Sequence, residues 1–242
     1  MPQPPMMPAL PAFPEIEARA AARHGGPAAL TARLLQPRTS EALCATPDHR
    51  FLAEATRAIF QAGFDWQAVD RRWPAFEDAF EGFDPARWTL MSDDDLDRLL
   101  RNTGLIRNAA KLRAVGANAV FFQAVAREHG SVGAWIAGWP PGRYMALTQA
   151  LKARGSRLGG KTGQVFLRRM GVDSLILSGD VLAALSAAGV VHRMPTSARD
   201  IAAVQAALDR WMAESGHGLT RISQILALSI DAGAGDGGDH DH

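Results

Sequence analysis

Residues 143–171, RYMALTQALKARGSRLGGKTGQVFLRRMG, contain seven Lys or Arg side chains and no Asp or Glu. The middle, GSRLGGKTG, is rich in glycine and lies between two segments with helical spacing. That pattern predicts two helices joined by a tight hairpin. The first N–H groups of a helix lack intrahelical partners and carry partial positive charge, so such a hairpin suits the holding of a phosphate. Arg157 before the glycines and Lys161 after them add full charges, while Gly159, Gly160 and Thr162 complete the candidate phosphate contacts. A plain helix–helix turn is the alternative. GGKTG is not a nucleotide P-loop, because the upstream glycine is missing at the required spacing and no strand precedes it.

The elements that must position this hairpin follow from caps and periodicity. The start of the chain, MPQPPMMPALPAFP, reads as a proline-rich flexible arm, with short helices possible at 15–24 and 28–35. The globular part is expected to begin at Thr46-Pro47-Asp48, a helix-start signal with Thr46 as N-cap and a helix running to Ala62. Asp65 caps a helix over 66–73, Pro74 opens another ending at Gly82, and Asp84-Pro85 opens a third. Ser92 followed by Asp95 is a capping-box-like start, and the acidic run 93–97 reads as a solvated first turn. A long helix spans 107–129, stopped by Gly130, and a short one spans 131–139. After the hairpin come an irregular connection and helices over 181–188, 197–216 and 220–230. The tail AGAGDGGDHDH reads as disordered. No stretch alternates over strand length, so the fold is expected to be all-α, an array of about ten helices. The expected organisation is an arm over 1–45, a helical domain over 46–230 and a tail over 231–242.

Composition narrows the function classes. With a net charge of +1 the 242-residue chain is no bulk polycation, so nucleic-acid binding must come from a local patch. A single cysteine, Cys44, excludes an internal disulfide and fits a reducing cytosol. No apolar run is long enough to span a membrane, and the N-terminus lacks the pattern of a secretory signal.

The segments FLAEATRAIFQAGFDWQAV, GFDPARW and DDDLDRLLRNTGLIRNAAKLRAVGANA, followed by LKARG, GGKTG, FLRRMGVDS and SGDV, resemble in order the 3-methyladenine DNA glycosylase I family. That family belongs to the helix-hairpin-helix superfamily, and the resemblance covers roughly residues 46–190. It implies a hydrolase of N-glycosyl bonds that grips duplex DNA through the hairpin, flips an alkylated base and removes it in base-excision repair. The methylated base already carries positive charge and leaves readily, so holding it matters more than a strong general acid. The resemblance makes Trp66 the residue that stacks on the flipped base, with a core role as the alternative. It also makes Gln61 a partner for the base edge or else a buried amide bonded to backbone. Phe60, like Phe64, flanks the same turn, and both read more readily as core.

The departures are equally specific. The family glutamate three residues before the Gln of QAG is Ala58 here. Glu54, one turn earlier on the same helix face, offers a replacement carboxylate or an exposed charge. The family's zinc positions near the hairpin fall on Asp180 and Ala184, and no Cys-His pair opens the fold, so no metal and no cofactor are expected. Superfamily relatives carry a catalytic Asp where Ser178 stands, leaving Asp180 as a second catalytic candidate or as a helix cap. Arg107, Asn108 and Lys111 open the long helix as further phosphate contacts or as a solvated face. The partner is then double-stranded DNA with alkylated bases, met by a cytoplasmic monomer. The alternative is a DNA-binding module of the same fold that has lost catalysis, which Ala58 motivates.

Overall fold

A computed structural model describes residues 10–231 and contains no strand among them. The proline-dense stretch 1–9 and nearly all of the predicted tail, 232–242, lie outside the described residues. The chain is all-α. Its helices are α1 (Phe13–Arg23), α2 (Pro27–Thr31), α3 (Ser40–Cys44), α4 (Asp48–Gln61) and α5 (Trp66–Ala79). There follow α6 (Pro85–Trp88), α7 (Asp93–Arg101), α8 (Ala109–His129), α9 (Val132–Ala137) and α10 (Tyr144–Arg154). The series closes with α11 (Lys161–Arg169), α12 (Gly179–Ala187), α13 (Ala198–Ser215) and α14 (Leu219–Leu228). Among the helices not expected is α3, which is too short to show a period in sequence.

The chain forms two compact units. The first holds residues up to Pro37, 141–145 and Asp173 onward. Here the sequence reading is corrected: residues 13–31 are not an appendage to a globular part starting at Thr46. Phe13, Ile16, Ala20 and Ala21 are buried, and α1 packs against α13 and α14. The Phe13 ring lies 6.1 Å from that of Trp211, whose indole N–H donates to the Pro11 carbonyl at 3.0 Å. Asp173 accepts from the N–H groups of Leu219 and Thr220 at 3.0 and 2.7 Å, capping α14.

The second unit holds residues 38–140 and 146–172, and therefore every helix from α3 to α9, most of α10 and all of α11. Helix α4 is its axis, packed against α5, α8, α9 and α11. Two predicted starts differ in detail. Thr46 does not cap α4; its hydroxyl donates back to the Ala42 carbonyl at 2.8 Å. Pro74 does not begin a new helix but lies inside α5. Proline removes one helix hydrogen bond, yet the turn holds because Trp73 stacks on Phe76 and on Phe83, each at 5.5 Å. Asp95 is more than part of a solvated turn. It completes a capping box with Ser92 and receives the Arg87 guanidinium at 2.5 Å and that of Arg98 at 3.2 Å. No helix among the described residues is long and apolar enough to cross a membrane.

Asp95 thus serves two elements. The Arg87 hydrogen bond, followed by the Ser92 backbone N–H, holds its carboxyl far below the usual carboxylate range. A folded-state pKa below the unfolded one means stability that is present near neutrality and lost on acidification. Asp95→Ala should cost about 1–2 kcal/mol at pH 7, the size of a lost cap together with a charged hydrogen bond. Urea unfolding at pH 7 and pH 3 checks this, and the variant's deficit should be smaller at pH 3.

Candidate base site and DNA-binding elbow

The second unit brings together a carboxylate, an amide, an indole and a guanidinium. Helix α4 supplies Glu54 and Gln61, which lie seven residues apart and so share one face two turns on. Trp66 opens α5 after the turn at Gly63, whose φ of +69° suits glycine. Arg169, the last residue of α11, comes from the other side of the hairpin. Its Nη1 donates to Glu54 Oε1 at 3.1 Å and also to Gln61 Oε1. Its guanidinium carbon lies 4.5 Å from the centre of the Trp66 ring, a cation–π distance. The Gln61 amide nitrogen donates to Asp70 at 2.7 Å, and Asp70 also accepts from Arg57 at 2.8 Å. The cluster is half-buried: the side chains of Glu54 and Arg169 are 18% and 24% exposed, and Gln61 is 1% exposed.

The structure places the predicted site residues unequally. Glu54, Gln61 and Trp66 come together. Trp66 is partly exposed rather than sealed in packing. Ala58 lies between Glu54 and Gln61 on the face they share and is buried, and Phe60 is buried on another side of α4, where its ring meets Phe76 at 4.7 Å. Phe64, read as core, is 46% exposed on the turn beside Trp66. Asp180 belongs to the other unit and stands in the first turn of α12. It does not cap that helix; the Ser178 hydroxyl accepts from the Val181 N–H at 3.3 Å instead.

The elbow between α10 and α11 is held from α8. Asn118 is fully buried and grips one peptide segment in both directions. Its amide nitrogen donates to the Ser156 carbonyl at 3.0 Å, and its oxygen accepts from the Ser156 N–H at 2.8 Å. Leu158 is buried beneath the turn, and a Cβ on Gly163 would come within 2.2 Å of the Leu158 carbonyl. Gly163 is therefore required by close approach. Gly160 is the N-cap of α11 and has a φ of +59°, with no side-chain cap. Arg157 is one of three non-glycine residues with positive φ among those described, at +60°. The elbow thus keeps a left-handed turn there, although an arginine occupies it.

The start of α8 is occupied differently from the expectation. The Asn108 side chain caps α8 by accepting from the Lys111 N–H at 3.1 Å. The Lys111 ammonium donates to the carbonyls of Phe60 and Ala62 at 3.2 and 2.8 Å, closing the C-terminus of α4. Burial lowers its pKa, and the nearby charge of Arg157 lowers it further. Arg107 and Asn108 are both solvent-exposed, Asn108 with its side-chain oxygen engaged in the cap, whereas Lys111 is partly buried. The sequence alone marks neither Asn118 nor Arg169. Arg169 sits in a basic run, and its partner Glu54 lies 115 positions away.

Residues 48–154 match the family described as methyladenine glycosylase. The DNA-3-methyladenine glycosylase of Haemophilus influenzae is 38% identical over 65 residues, 27% of this chain and 35% of that protein. The DNA-3-methyladenine glycosylase 1 of Escherichia coli is 34% identical over 59 residues, 24% of this chain and 32% of that protein. The matched stretch therefore spans about a third of the length of these relatives. A solved 3-methyladenine DNA glycosylase I from Staphylococcus aureus superposes with a TM-score of 0.48 at 21% identity, covering 64% of this chain and 91% of its own. The family match ends at Arg154, so the elbow and Arg169 rest on their own geometry.

Burial pushes the Glu54 carboxyl above the usual range, against the opposing pull of Arg169, then Arg57 and Arg50. A raised carboxylate pKa means that the folded state binds the proton more tightly, so ionisation above the unfolded pKa removes stability as pH rises. The stability of Glu54→Gln relative to the parent should therefore rise between pH 4 and pH 7. Parallel urea titrations check this, with Arg50, Arg57, Arg169, Asp70 and Glu77 left intact as the surrounding charges. Separately, Arg157→Gly should gain about 0.5–1 kcal/mol, since relief of the left-handed conformation exceeds the entropy cost of glycine. The same variant should reduce the salt slope of DNA binding by about one if Arg157 meets a phosphate.

Proposed function

We propose that the protein is a DNA base-excision glycosylase that flips and removes alkylated bases such as 3-methyladenine, a reading supported by the match of residues 48–154 to the methyladenine glycosylase family. The observation that carries this reading is the convergence of Glu54, Gln61 and the Trp66 face on one cation-binding point. A base methylated at a ring nitrogen is a flat cation with hydrogen-bonding edges. Its needs are a carboxylate within reach, an amide for an edge and an aromatic face for stacking.

The elbow supplies the other half. Gly159, Gly160 and the first turn of α11 present backbone N–H groups at a helix start, with Arg157, Lys161 and Thr162 around them. This set suits the sugar–phosphate strand of duplex DNA, and Arg107 extends the basic surface. Phe64 projects from the turn next to Trp66 and is available to fill the gap in the base stack left by flipping.

The chemistry asks little of an acid. Water adds to the sugar carbon as the glycosidic bond breaks. The bonding pair leaves with the base and cancels its positive charge, and the surplus proton of the water passes to solvent. Glu54 is the carboxylate at the site; its role is to hold the cationic base. Asp180 has no place in this step. The protein acts as a monomer without metal or cofactor in this reading.

Incubation with alkylated duplex DNA, with chromatography of released bases, tests the proposal. Free 3-methyladenine is expected, and Trp66→Ala should lower kcat/KM by about 10–100-fold, the worth of one stacking platform. Intact DNA binding with no released base would instead mark a binding module that has lost catalysis, the reading that the replacement of the family glutamate by Ala58 favours.

A further inference from the structure

We propose that Arg169 is a resident counter-ion of the base site, which holds Glu54, Gln61 and Trp66 while the site is empty and gives up its place to a cationic base. This rests on the glycosylase reading above. The three groups assigned to the base are the three that Arg169 contacts: Glu54 at 3.1 Å, the Gln61 amide oxygen, and the Trp66 ring at 4.5 Å. A guanidinium is flat, delocalised and positive, as is a methylated purine. The chain therefore fills its own site with a mimic of the proposed ligand.

The charges dictate what can replace it. With Arg169 in place, a cationic base would meet a like charge over the same indole. Were a neutral base to displace Arg169, Glu54 would be left half-buried with its direct partner gone, a costly state for a carboxylate. Arg57 does not substitute, because it is bound to Asp70. A cationic base restores the pairing. The exchange conserves charge only for a positive ligand, so selection for alkylated over normal bases is enforced by charge balance as well as shape. Arg169 stands at the end of α11 with its side chain 24% exposed, so the displaced guanidinium has a path to water.

The test uses the full chain, Arg169→Met, Arg169→Lys and alkylated duplex DNA. Arg169→Met keeps an apolar stem but removes the competitor, so KM should fall about tenfold, the worth of a cation–π contact and one charged hydrogen bond. Arg169→Lys restores a cation and should return KM to near the parental value. Guanidinium chloride at low millimolar concentration should inhibit Arg169→Met competitively and leave the parent protein unaffected. In the parent itself, protonated free 3-methyladenine should shift the Arg169 Nε–H NMR signal to that of a solvent-exposed arginine, a readout independent of whether the variants fold. An unchanged or raised KM in folded Arg169→Met, or an Arg169 signal indifferent to the base, overturns the exchange while leaving the glycosylase reading intact. Release of no base by the parent or by either variant sinks that reading, and the exchange with it.

Discussion

One guanidinium joins the two parts of this site. Arg169 ties the end of α11 to α4 and to the start of α5, so the second hairpin helix is fixed at both ends. At its beginning is the glycine elbow, and at its end is the ion pair with Glu54. A helix of nine residues therefore spans from the surface suited to phosphate to the surface suited to a base. Its length sets the distance between them, because a helix rises a fixed amount per residue.

Helix α4 is the complementary constraint. Its core face carries Phe51, Ala55, Ala58 and Ile59, all buried. The edge of that face carries Glu54 and Gln61. The apolar stripe fixes the rotation of the helix, and the rotation fixes where the polar pair emerges. Lys111 then caps the open carbonyls at the end of α4, which sets the turn leading to Trp66. The position of the indole thus depends on an ammonium group from a third helix.

Much of the fold was legible from local signals. Ser92 with Asp95, the stop at Gly130 and the start at Ser197 are decided within a few residues, and the helices they bound are present. What escaped was decided at a distance. Residues 13–31 look like an appendage because their burial depends on partners nearly two hundred positions on. Pro74 looks like a boundary because the aromatic stack that holds α5 together is invisible to propensity. The site divides in the same way. Glu54 and Gln61 share a helical period, so their common face could be read, but the position of Trp66 relative to Glu54 depends on the turn between α4 and α5 and could not. Asn118 and Arg169 could not, since a helical Asn among apolar neighbours and an Arg in a basic run each have commoner explanations. Buried polarity is the signal that would have marked Asn118, a residue with no reason to lie inside unless both ends of its amide are used.

That use of both amide ends has a further consequence. Asn118 holds the elbow by the peptide groups of Ser156, not by any side chain of the turn. The curve of the loop is therefore dictated from α8, and the identities of residues 156 and 157 contribute little to it. The electrostatic character of the turn can therefore change without reshaping its backbone, as an arginine in a left-handed position illustrates.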